Sequence, residues 1–134
     1  MKTLRITAEH VKDRAYIGPD VSAWAGHIEI ASDLGTVFFA GAVVAYGHIY
    51  ALTGSGIKAG GDIEAGEEIV VGEEIDSGRS IVAGGKIEAG RNIVAGDGID
   101  TCRNIKAGGE IVAGWGIAVG VGSLLAAGIV IWSL

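Results

Sequence analysis

The apolar positions of this chain fall on a six-residue beat. From Ile57 the sequence divides into eleven hexads, IKAGGD, IEAGEE, IVVGEE, IDSGRS, IVAGGK, IEAGRN, IVAGDG, IDTCRN, IKAGGE, IVAGWG and IAVGVG. Isoleucine opens every one, from Ile57 to Ile117. The third residue is Ala in seven hexads and Val71, Ser77, Thr101 or Val119 in the others; the fourth is Gly except at Cys102. Residues six apart lie about 240° apart around an α-helix, so no helical face collects these isoleucines. The order apolar, variable, small, Gly instead reads in, out, in along a very short strand. A corner follows, where glycine is expected to turn the chain by adopting positive φ. Coils of such strands stack about 4.8 Å apart and align their isoleucines into ladders against small alanines. The predicted fold is all-β, a single-domain parallel β-solenoid of hexapeptide strands.

The variable second position sets an expectation for coil size. It runs Lys58, Glu64, Val70, Asp76, Val82, Glu88, Val94, Asp100, Lys106, Val112, Ala118, alternating acidic and non-acidic over much of its length. Arg79, Arg91 and Arg103 recur at every second hexad, followed by Ser80, Asn92 and Asn104. These columns stay uniform if one coil is two hexads, which predicts a flattened, two-sided, twelve-residue coil. A three-sided coil of three hexads would instead place Lys58, Asp76 and Val94 in one line. On the two-sided reading one face carries Glu64, Asp76, Glu88 and Asp100, an acidic surface suited to a basic protein partner such as the target of an inhibitor or immunity protein. The arginines would offset its like-charge repulsion at exposed-pair strength, about 0.2–1 kcal/mol each. The opposite face carries Val70, Val82 and Val94 between Lys58 and Lys106, an apolar strip of the kind found where copies associate.

The flanks are less regular. Residues 1–42 read as irregular coils and a cap, with MKTLRIT as a first strand and the only proline at Pro19. Residues 43–122 carry the regular phase, lengthened by a two-residue insertion at Ser55 and Gly56, and 123–134 form an apolar terminal coil or cap. After Glu110 no charge occurs through Leu134, a run long enough for a bilayer, which needs about 20 apolar residues. Ile111, Ile117 and Ile129 keep the six-residue phase, so the expected reading is a continuing solenoid. Its apolar exterior at Trp115, Leu124, Val130 and Trp132 would cover an end or a subunit contact; a membrane contact is the alternative. The N-terminus has no apolar signal core, and the expected location is cytoplasmic.

Composition narrows the chemistry. The 24 glycines among 134 residues, with 49% hydrophobic residues and one proline, fit neither disorder nor collagen. A single cysteine excludes an internal disulfide framework and a cysteine-based zinc cluster. A net charge of −6 argues against a nucleic-acid partner. The glycine-rich turns precede no helix, so they are not phosphate cradles. Thr101 is the lone threonine of the hexads, too sparse for an ice-binding rank. His10, His27 and His48 all precede the regular repeat, and His27 or His48 would serve as base only if the chain were an acyltransferase, a reading the hexad spacing does not favour. The expectation is a non-enzymatic protein without cofactor or metal.

The hexads IEAGRN, IVAGDG and IKAGGE resemble those of the bactofilins and related glycine-rich polymer-forming β-solenoids, over residues 43–122 at most. That resemblance implies a non-enzymatic scaffold, a homo-oligomer associating end to end through apolar terminal coils, and it carries over no catalytic residue.

Overall fold

In a computed structural model, which describes residues 2–120, 125–126 and 129–132, the hexads become strands as their pattern requires. The N-terminal third supplies β1 (Lys2–Ile6), β2 (Val11–Lys12), β3 (Ala15–Tyr16), β4 (Gly26–Ile30), β5 (Gly35–Phe39) and β6 (Val43–Ala45). The next coils supply β7 (Ile49–Ala51), β8 (Ser55–Ala59), β9 (Ile63–Ala65), β10 (Ile69–Val71), β11 (Ile75–Ser77) and β12 (Ile81–Ala83). Then come β13 (Ile87–Ala89), β14 (Ile93–Ala95), β15 (Gly98–Thr101), β16 (Ile105–Ala107), β17 (Glu110–Ala113) and β18 (Gly116–Ala118). The chain closes on β19 (Leu125–Ala126) and β20 (Ile129–Trp132).

Successive strands join three different sheets in rotation, forming a single-domain parallel β-solenoid with three sides. The first sheet is ordered β1-β4-β7-β10-β13-β16-β19, the second ends β5-β8-β11-β14-β17-β20, and the third contains β6, β9, β12, β15 and β18. Ile69 pairs with Ile87 and Ile87 with Ile105, so one coil takes three hexads rather than the two expected. Lys58, Asp76 and Val94 do fall in one line. Like-charge repulsion explains why a two-hexad alternation of charge belongs on a three-hexad coil. Carboxylates that alternate by hexad would stack directly on one another every two hexads. Every three hexads, each meets a non-acidic residue: Glu64 and Asp100 flank Val82, and Glu88 lies beside Val70 and Lys106.

The strands alternate in, out, in as expected: the opening isoleucines from Ile57 to Ile93 are completely buried and the third-position alanines nearly so. The corner glycines, however, do not turn by positive φ, which among the described glycines occurs only at Gly35 and Gly54. Close approach selects them instead. At Gly84 a Cβ would lie 2.2 Å from the carbonyl oxygen of Gly66, one coil away. Besides Ser55 at the insertion, two of the regular hexads carry a buried hydroxyl at the corner. Ser77 Oγ accepts from the Arg79 N–H at 3.1 Å and donates to the Gly61 carbonyl at 2.7 Å. Thr101 repeats this between the Arg103 N–H and the Gly85 carbonyl.

The expected two-residue insertion before Ile57 lengthens the local coil beyond three hexads, so that Val37 pairs with Ile57 and Val43 with Ile63. At the N-terminal end the second sheet is closed by an antiparallel hairpin, β2 with β3, whose loop residues Asp13 and Arg14 both adopt positive φ. The third sheet is closed there by a bridge from Trp24 to Ala45. At the other end the uncharged run does continue the sheets, but out of phase: Val130, not Ile129, pairs with Ile111. Among the described residues no helix is long and apolar enough to cross a membrane.

Candidate functional site

Among the described residues, imidazoles and carboxylates come together at the corner where the chain passes from the third sheet into the first. His48 immediately precedes β7, Glu67 and Glu68 precede β10, and His27 stands in β4. Because Ile28 pairs with Ile49 and Ile49 with Ile69, residues a full coil apart in sequence are neighbours in one column. The imidazoles of His27 and His48 stack with centroids 3.9 Å apart and planes 18° apart, and His48 also stacks on Tyr50 at 3.8 Å. The backbone N–H of His48 donates to His27 Nδ1 at 3.0 Å, which makes that nitrogen an acceptor and puts the proton of the neutral ring on Nε2. Gly47 leaves room for this ring, since a Cβ there would lie 2.1 Å from His27 Nδ1.

Carboxylates surround the stack. His48 Nδ1 lies 3.9 Å from Glu67 Oε1, Tyr50 donates its hydroxyl to Glu68, and Glu29, in register with Tyr50, pairs with Arg5 at 3.1 Å. Burial, seconded by the neighbouring His27, pushes the His48 imidazole below its ordinary value, with Glu67, Glu29 and Glu68 pulling the other way. The hydrogen bond to Glu68 is the main reason that the Tyr50 phenol is pushed up to about 12. One and two coils further on, Lys86 and Arg103 line a surface depression with Glu67 and Glu68. Lys86 is drawn to Glu88 at 2.8 Å, and that hydrogen bond raises its pKa. One ligand atom from each of His27, His48 and Glu67 lies within 4.8 Å of the others, a set with the donor chemistry of a cation site. His10 stands apart in the N-terminal cap, where its Nδ1 accepts the Thr7 N–H.

The surfaces expected from sequence do not assemble. Val70 points out from the first sheet, Val94 from the second and Val82 from the third, so no valine strip exists. Glu64 and Asp100 share the third sheet, Asp76 is on the second and Glu88 on the first, so these carboxylates form no single acidic face. Both misplacements follow from the coil length. Arg79, Arg91 and Arg103 occupy three different corners, and Arg91 pairs with Glu73 at 3.3 Å rather than with that set. Trp115 is 65% exposed at the corner before β18, beside half-buried Ile117. Leu124 lies outside the described residues, and for Val130 and Trp132 only the backbone pairing in β20 is described. The histidine column escapes sequence reading because His27 and His48 stand on successive lengthened coils, outside any two-hexad frame. No single repeat spacing reaches it, because the step from His27 to His48 differs from that from His48 to Glu67. Compared with known proteins, the chain matches no family model, no curated protein and no solved structure.

Proposed function

We propose that this protein is a non-enzymatic scaffold that self-associates through its C-terminal coils. The observation that carries the reading is the contrast between its two ends. The N-terminal end is protected, with a hairpin over the second sheet, a Trp24 bridge on the third and the charged residues Lys2 and Arg5 on β1, devices that discourage edge pairing. Towards the other end the outward row of the second sheet changes from Lys58 and Asp76 to Val94 and Val112. Ile117, whose ladder equivalents Ile81 and Ile99 are buried, is only partly buried in β18, the last described strand of the third sheet, and Trp115 is exposed at the corner before it. Exposed apolar side chains also stand on the N-terminal coils, at Ile17, Phe38, Tyr46 and Leu52; at the C-terminal end they join the uncharged run that follows Glu110, and such a surface suits contact with a second copy. The resemblance to bactofilins points to the same use. With the N-terminal edges of the second and third sheets covered and that of the first charged, pairing through the C-terminal coils is favoured over head-to-tail growth, which needs both ends open.

Sedimentation velocity across the micromolar range tests this. The wild type is expected as a discrete elongated oligomer, and Trp115→Ser and Val112→Lys as monomers. A wild type that is monomeric throughout that range overturns the reading.

A further inference from the structure

The column of His27, His48 and Glu67 plays no part in the scaffold reading, and it supports a different kind of activity. We propose that these three residues bind a divalent first-row transition ion of the zinc class. Two imidazoles and one carboxylate, drawn from three successive coils, offer ligand atoms within 4.8 Å of one another. Nitrogen donors favour zinc, cobalt, nickel or copper over magnesium and calcium, and two histidines with one carboxylate leave further positions for water. The acidic surroundings, Glu29 and Glu68, favour a cation at this corner.

The geometry also says what binding requires. A metal lies near the plane of each imidazole it joins, so the parallel rings, 3.9 Å apart, cannot share an ion as stacked. His27 Nδ1 accepts the His48 N–H, so Nε2 carries the ring proton and neither nitrogen has a free lone pair; joining an ion requires His27 to give up this hydrogen bond and coordinate through the Nδ1 so released. The His48 ring, held by stacking and by its approach to Glu67, turns as well, about its Cβ–Cγ bond. With the rings no longer parallel, the His48 nitrogen and the Glu67 carboxylate, 3.9 Å apart in the stacked arrangement, can face one ion together with His27 Nδ1. Gly47 is essential to the arrangement because a side chain there would displace His27.

The test uses the untagged full chain, titrated calorimetrically with Zn2+ and spectroscopically with Co2+, with Mg2+ and Ca2+ as negative controls. The expected result is one Zn2+ per chain, a Co2+ absorption band, and an upward shift of the melting temperature with Zn2+. His48→Gln and Glu67→Gln should each weaken Zn2+ by more than about tenfold, since even loss of an outer-shell partner costs that much. Asp76→Asn, on the second sheet, should leave affinity unchanged. Glu67 is exposed, so its variant remains informative if the histidine variant folds poorly. Absence of Zn2+ binding and of any thermal shift at about 100 µM metal overturns the proposal. So does a Zn2+ affinity that neither His48→Gln nor Glu67→Gln alters, which would place the ion elsewhere on the chain.

Discussion

Gly90 sits directly over Gly72, so closely that a Cβ on Gly90 would lie 2.1 Å from the Gly72 carbonyl oxygen. The corner is therefore filled by backbone, and the Gly90→Ala variant must push two coils apart. The expected loss is about 1–3 kcal/mol, the range for overpacking a closed structure. At Gly41 nothing lies within 4 Å and φ is ordinary, so Gly41→Ala should stay within about 0.5 kcal/mol of wild type. Urea denaturation of the two variants checks the contrast, and equal stabilities would show that close approach does not select these glycines.

Val82 stands in register between Glu64 and Asp100. Val82→Glu would make three stacked carboxylates, whereas Val82→Lys would place a cation between two anions. With cross-strand pairs contributing roughly 0.2–1 kcal/mol each, the lysine variant should be the more stable by about 1 kcal/mol. The gap should close in about 1 M salt, where screening acts within a few ångströms. Thermal melts of both variants at low and high salt provide the measurement; a difference indifferent to salt would mean that the ladder is not electrostatic.

The same ladder explains what the sequence reveals and what it conceals. The in-out-in strand and the buried Ile57-to-Ile111 phase are legible because burial imposes the beat directly on residue type. Coil length is not, because a uniform column looks like correct stacking whether or not its chemistry tolerates contact. For Glu64, Asp76, Glu88 and Asp100 uniformity is the unfavourable arrangement, and repulsion points to the three-hexad coil. The apolar residues cannot arbitrate, since every hexad opens alike. His27, His48 and Glu67 lie beyond reach for a further reason: they come together across coils lengthened by insertions, where no hexad count predicts the neighbour.

Ser77 places its buried hydroxyl between the Arg79 N–H and the Gly61 carbonyl. In Ser77→Ala these two groups lose their bridge, although alanine fits the space, as at Ala59 and Ala95 on either side. The expected cost is about 1 kcal/mol, the net contribution of a typical hydrogen bond or a little more. Amide exchange at Arg79 should accelerate relative to Asp97, whose N–H bonds directly to the Arg79 carbonyl. Unchanged stability and exchange would mean that the corner closes up to a direct backbone bond.

Burial of Tyr16, aided by nearby Asp20, pushes its phenol from 10.0 up to about 12. Its hydroxyl donates to the Pro19 carbonyl and its ring packs 4.8 Å from Phe39. The folded chain thus holds this proton more tightly than the unfolded chain does. That stabilisation is whole below about pH 10 and is lost as pH rises through about 12. Denaturation midpoints should therefore fall less steeply above pH 10 in Tyr16→Phe than in wild type. Parallel alkaline profiles for the two proteins would contradict the assignment.

The mismatch between a two-hexad alternation and a three-hexad turn also governs how such a molecule can lengthen. Duplicating a single turn would set Asp76 against its own copy and break the alternation. Duplicating two turns restores it everywhere. Growth of this rod by gene duplication is thereby quantised: the surface chemistry admits increments of two turns, about 10 Å at the usual strand spacing, although the apolar interior would accept one.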